Sequence, residues 1–182
     1  MTGPFPGLSK RGRRRAIWGL LAAEVAQLGP LLSLERRMKR TGGPGIIPFE
    51  LAGSAERSQQ IMSTWGNEGQ AAARMSLLLD YLFPATYAPL QALACTASAD
   101  GFGKRGRRAL ASVGGPIAWG QLAAALFDYL ENTGLLLILA GRNGQLSLLV
   151  RRAAVTKFML TYAGLGYILL GIGLAASDQL RS

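Results

Sequence analysis

Histidine is absent from this sequence, and cysteine occurs once, at Cys95. These scarcities exclude an intrachain disulfide, a histidine general base, histidine-ligated haem, a familiar zinc site and any Ser-His-Asp or Cys-His catalytic set. Cys95 lies inside an apolar block, where a thiol reads as a small packing residue and reports no redox compartment. Charge is scarce too: 16% of residues are charged, where a soluble domain carries about a quarter. The aromatic residues sit within apolar blocks and do not alternate with basic ones, which argues against a surface for stacking single-stranded nucleic acid. Gly101-Phe102-Gly103-Lys104-Arg105-Gly106 lacks the spacing, the hydroxyl residue after lysine and the preceding strand of a phosphate loop. It reads as a flexible basic turn, and neither a cofactor nor a metal is expected.

What is present is apolar and segregated. Hydrophobic residues make up 49% of the 182, and the mean hydropathy is +0.22. Long apolar blocks alternate with short arginine-dense connectors, the pattern of a multi-pass membrane protein. Four spans are predicted, at about 16–34, 75–97, 116–140 and 153–176, each near the ~20 residues that cross the hydrocarbon core. The first resembles a signal peptide, but Glu24 and Gln27 interrupt it and Arg36-Arg37-Met38-Lys39-Arg40 follows as an anchor. It is read as uncleaved. In the connector 41–70, Ser54 can cap a short helix ending near Gly66, with Leu51, Ala55, Met62 and Trp65 on the face turned to the membrane or the bundle. Pro116 suits the first turn of the third span. Trp18, Trp65 and Trp119 suit interface anchors, and Tyr162 and Tyr167 packing residues. Gly171 and Ala175 have the small-xxx-small spacing of close helix contact. Short later connectors favour antiparallel neighbours. The expected architecture is a single all-α membrane domain, an up-down four-helix bundle with a short interfacial helix between spans one and two.

The net charge of +10 is carried by clusters at the span ends, around 10–15, 36–40, 104–108 and 151–152. Their expected partner is a bilayer with anionic headgroups rather than nucleic acid. A membrane-protein partner or a second copy is a further expectation. Ten basic residues, Arg181 among them, fall on the side of the termini and nine on the other, so the positive-inside rule hardly discriminates. The long first connector suits the outer side, which puts both termini in the cytoplasm, in a bacterial plasma membrane.

Five ionisable residues fall within the predicted spans: Glu24, Asp80, Asp128, Glu131 and Lys157. At 1.5 Å per residue, Glu24 lies ~15 Å below one membrane face, Asp128 ~18 Å, Glu131 ~13 Å, and Asp80 and Lys157 roughly 6–8 Å. All five occupy the same half of the bilayer. Asp128, Glu131 and Asn132 share one face of span three, and Asp80, Pro84, Tyr87 and Gln91 form a polar stripe on span two. Facing any ionised group to lipid is costly, so Asp80, Asp128, Glu131 and Lys157 are expected to meet. Asp128 or Asp80 is the expected partner of Lys157. Four acids against one lysine call for a protonated carboxyl or help from Arg74, Arg151 or Arg152. Pro84 also leaves the Asp80 carbonyl without its helical bond.

Asp80-x-x-Phe83-Pro84-x-x-Tyr87, Phe127-Asp128-x-x-Glu131-Asn132 and Thr156-Lys157-Phe158, in that order and spacing, resemble an uncharacterised family of small four-helix integral membrane proteins, mainly bacterial. The resemblance covers about 48–176 and implies a four-span bundle with no assigned activity. Three functional classes fit the residues: a site that binds or conducts protons, a cation or a small amphiphile; a structural or assembly subunit whose polar network fixes helix register; and a membrane-embedded enzyme acting on lipid. Interhelical polar pairs in membranes contribute about 0.6 kcal/mol, enough for the structural role.

Overall fold

The structure, a computed structural model, describes residues 3–142 and 144–180. Arg181 therefore lies outside the described residues. Among the described residues six helices form: α1 (Lys10–Arg40), α2 (Ile46–Glu50), α3 (Ala55–Asp80), α4 (Phe83–Lys104), α5 (Arg108–Leu139) and α6 (Leu146–Gln179). Among the described residues there is no strand. Ser9 and Ser54 cap α1 and α3, their hydroxyls accepting from the backbone N–H groups of Gly12 and Arg57.

Three helices, α1, α5 and α6, are long and apolar enough to cross a membrane. Each exceeds thirty residues, or ~45 Å at the helical rise, and so outruns the predicted span at both ends or nearly so. Their outer faces are apolar and exposed: Trp18, Val25 and Leu32 on α1, Leu126 and Leu130 on α5, Met159, Leu169 and Ile172 on α6. A water-soluble protein rarely presents apolar faces on this scale.

The predicted second span is not one helix. α3 ends at Asp80, Tyr81 and Leu82 turn, and α4 begins at Phe83 with Pro84 in its first turn. The cause is Pro84, which has no N–H for the Asp80 carbonyl and whose ring clashes with that turn. The path nevertheless keeps its course across the break. Arg13–Asp100 and Gln27–Thr86 pair α1 with α4, while Asn132–Asp80 and Arg74–Leu139 pair α5 with α3. Both sets hold an antiparallel register. α6 returns antiparallel to α5, with Gln121 donating to the Leu160 carbonyl and the Tyr167 hydroxyl to that of Leu110.

The connector differs from expectation in three ways. A five-residue helix, α2, forms within it. The segment after Ser54 does not stop at Gly66; it bends there, where φ is 57°, and continues to Asp80. Its first part folds over the bundle end, one of the two expected placements, burying Ile61, Met62 and Trp65; the third difference is Leu51, which turns outward. Trp65 is therefore no interface anchor: its indole donates to the Pro44 carbonyl at 2.6 Å and meets Phe49 edge-on at 5.0 Å. Tyr162 is 65% exposed and does not pack as expected, while Tyr167 is buried against Phe102. Pro116 lies inside α5, which starts eight residues earlier because Leu110 and Ala111 are held by the core around Phe102 and Tyr167.

Two cores result. Phe49, Trp65, Leu77, Leu135 and Ile138 fill the end capped by α2 and α3. Cys95, Phe102, Ala118 and Tyr167 fill the other. The charged residues lie beside the first, next to a smaller cluster containing Tyr87 and Ala124.

Candidate functional site

Lys157 projects from α6 into the protein and is 8% exposed. Three carboxyl groups converge on its ammonium: Glu131 at 2.8 Å, Asp128 at 3.4 Å and Glu50 at 3.8 Å. Glu131 and Asp128 arrive together because they are three residues apart on α5, one face of a helix. Asn132, one residue on, donates to Asp80 at 2.8 Å and so fixes the end of α3. The Phe158 ring lies 4.7 Å from the Lys157 nitrogen and adds a cation–π contact.

Thus Lys157, Asp128 and Glu131 meet directly, and Asp80 joins through Asn132 rather than by an ion pair. The nearest partner of Lys157 is Glu131, where Asp128 or Asp80 was expected. Helix length accounts for the difference: α6 begins at Leu146, seven residues before the predicted span, so Lys157 lies three turns into the helix rather than near its start. Tyr87 is close enough to Asp128 and Thr161 to interact with both. Glu24 stands across from them on α1, accepting from the Thr86 hydroxyl at 2.7 Å. Among the described residues no arginine enters the cluster. Arg74 instead reaches the Leu139 carbonyl.

Sequence reading missed Glu50. Helix α2 carries it into the cluster, where it is 7% exposed. Glu35 holds the other end of α2 by accepting from the Ile46 N–H at 2.9 Å. An acid between Phe49 and Leu51 in an otherwise apolar stretch was the available signal. Burial pushes the Glu50 carboxyl above the ordinary range, and the Lys157 ammonium only partly opposes this. Three carboxyls for one ammonium leave the cluster short of positive charge.

These groups border a cavity of about 270 Å³. Its floor is α4 with Phe83, Tyr87 and Gln91, its walls are Glu24 of α1 and Lys157, Phe158 and Thr161 of α6, and Ile47 and Glu50 of α2 close one end. Asp80 and Asp128 complete the lining, whereas Glu131 lies behind Lys157 and does not reach the cavity. Helices α1 and α6 both pack on α4 but share no packed interface, so the cavity lies in the groove between them. The Tyr87 hydroxyl, the Gln91 carbonyl oxygen and the Thr161 hydroxyl are buried without a well-formed hydrogen bond. Buried polar atoms usually find a partner, and a cavity lined by several of them is fitted to hold water or a polar ligand. No group of three acids or cysteines among the described residues converges as a metal site would. No protein-family profile, curated protein or solved structure matches this chain.

Proposed function

We propose that this chain is a four-span membrane protein whose buried acidic cavity binds a proton or a small cation and passes it between the two sides of the bilayer. Spans one, three and four are α1, α5 and α6, and the second is the broken path of α3 and α4. The observation that carries the functional reading is the cavity itself, with Glu24, Glu50, Asp80 and Asp128 facing one space that holds the single cation Lys157. Four carboxyls against one ammonium favour a positive guest. Lys157 is its built-in competitor: a proton or cation arriving on Asp128 weakens the hold on Lys157, which remains tied to Glu131. The break at Tyr81 and Leu82 supports the same reading, because irregular backbone at membrane depth is tolerated where it lines a polar cavity. With both termini in the cytoplasm, the cavity lies in the outer half of the bilayer.

The groove between α1 and α6 favours one variant of this reading: a small protonated amphiphile entering sideways from lipid, with its apolar part against Phe83 and Phe158. The test is flux into liposomes carrying the purified protein, under an imposed proton or sodium gradient. Proton or cation flux above that of empty liposomes, lost in Asp128→Asn, is expected. A protein that inserts fully yet leaks at the rate of empty liposomes would refute conduction and favour the assembly or lipid-enzyme roles.

A further inference from the structure

A second cavity, with a volume of about 810 Å³, lies at the opposite end from the charge cluster. It is formed where the segment before α1, the start of α1, the end of α4 and the start of α5 come together. Lys10, Arg13 and Lys104 line it, with Asp100 the only acid among the described lining residues. Arg13 already satisfies Asp100 at 2.7 Å with 17% of its side chain exposed. Lys10 and Lys104 are exposed and form no ion pair among the described residues. The pocket thus carries a surplus of two positive charges. Its remaining surface is small or apolar: Phe5, Leu8, Ala99, Gly103, Ala111 and Gly115.

Cationic rim and apolar floor are the two halves of an amphiphile site. The position agrees. Trp18 and Trp119, both about half exposed or more, stand two to three turns further along α1 and α5 from this end, as tryptophans do at the boundary between headgroups and hydrocarbon. The pocket is therefore level with the headgroups. With the termini in the cytoplasm it faces the leaflet that carries the anionic lipid.

We infer that this pocket is a specific site for an anionic phospholipid, its phosphate between Lys10 and Lys104 and its acyl chains along Ala99, Ala111 and Phe5. A free phosphate would use the two lysines but gain nothing from the apolar floor. The inference rests on the membrane reading and not on the function of the acidic cavity.

The test uses the full chain in a neutral detergent, titrated with phosphatidylglycerol, phosphatidylcholine or inorganic phosphate, with bound lipid counted by native mass spectrometry and thermal unfolding followed in parallel. Phosphatidylglycerol is expected to occupy one site and raise the unfolding midpoint, while the other two do neither. Lys10→Gln with Lys104→Gln should weaken that site about tenfold or more. Arg36→Gln with Arg40→Gln, the same charge loss at the other end, should leave it unchanged. Equal binding of phosphatidylcholine, saturation by inorganic phosphate, or equal losses in the two double variants would each overturn the site. Failure of the membrane reading would look different: the chain would stay in solution without detergent. A chain that needs detergent but ignores phosphatidylglycerol would sink the lipid site alone.

Discussion

The two ends of the bundle solve the same packing problem differently. At the end holding Cys95, Phe102 and Tyr167, helices approach through small residues. The Cβ of an alanine at Gly114 would fall 2.4 Å from that of Ala99, and one at Gly171 2.6 Å from the Ser98 hydroxyl. The buried tyrosine there has its hydrogen bond made, Tyr167 donating to the Leu110 carbonyl at 2.7 Å. The end holding Lys157 instead buries Glu50, Asp128, Glu131 and Asn132, and leaves the Tyr87 and Thr161 hydroxyls and the Gln91 side-chain oxygen without a well-formed hydrogen bond. Close contact is enough to hold helices together in lipid. Charge burial is not required for that, which is in keeping with the site proposed at the second end.

The largest effect should come from removing the cluster's one cation. Lys157→Met strands Glu131 and Asp128 and should destabilise the protein in detergent by about 3–5 kcal/mol, the usual effect of orphaning a buried charge. Lys157→Met with Glu131→Leu should recover much of that loss. Additive losses in thermal unfolding would contradict the pairing. At the other end, Gly114→Ala forces rigid neighbours apart and should lose about 1–3 kcal/mol. Gly166→Ala, with nothing within 4 Å of the new methyl, should be neutral in the same assay. Tyr167→Phe removes one hydrogen bond and should lose only about 0.5–1.5 kcal/mol.

The smallest effect is a slope. Because the Glu50 carboxyl lies above its ordinary value of 4.5 in the folded protein, the native state holds that proton more tightly than the unfolded chain. Its contribution is complete below the unfolded value and is lost as pH rises through the folded one. Glu50→Gln should therefore flatten the decline in stability above about pH 4.5 in unfolding curves taken at several pH values. An unchanged slope would mean that Glu50 titrates normally and is not held in the cluster.

Much of this was legible from residue spacing. Asp128 and Glu131, three apart, had to share a helix face, and they fell in the same half of the bilayer as Lys157 on the neighbouring helix, although Lys157 was placed nearer the rim. Pro84 announced the unpaired Asp80 carbonyl, though hydropathy alone carried the second span straight through it. Glu50 was not legible, because it reaches Lys157 only through the fold of α2, five residues with no side-chain cap and no periodicity of their own. Trp65 was misplaced for the same reason. An indole suits the interface or the core equally, and only the return of α3 over the bundle decides between them. Pro116 inside α5 is a case of tertiary contact overriding a local preference: Tyr167, more than fifty residues away, holds the turns before it.

On the proposed function, the cavity beside Lys157 is hydrated and prefers positive guests. The chain has one cysteine, so Cys95→Ala provides a background in which Thr161→Cys places a single thiol on the cavity wall. In liposomes, a small cationic thiol reagent should label it about tenfold faster or more than an anionic reagent of the same size, since a like charge in the cavity repels the anion. Asp128→Asn in the same background should narrow that ratio. No labelling by either reagent, or equal rates for both, would contradict a hydrated, cation-preferring cavity.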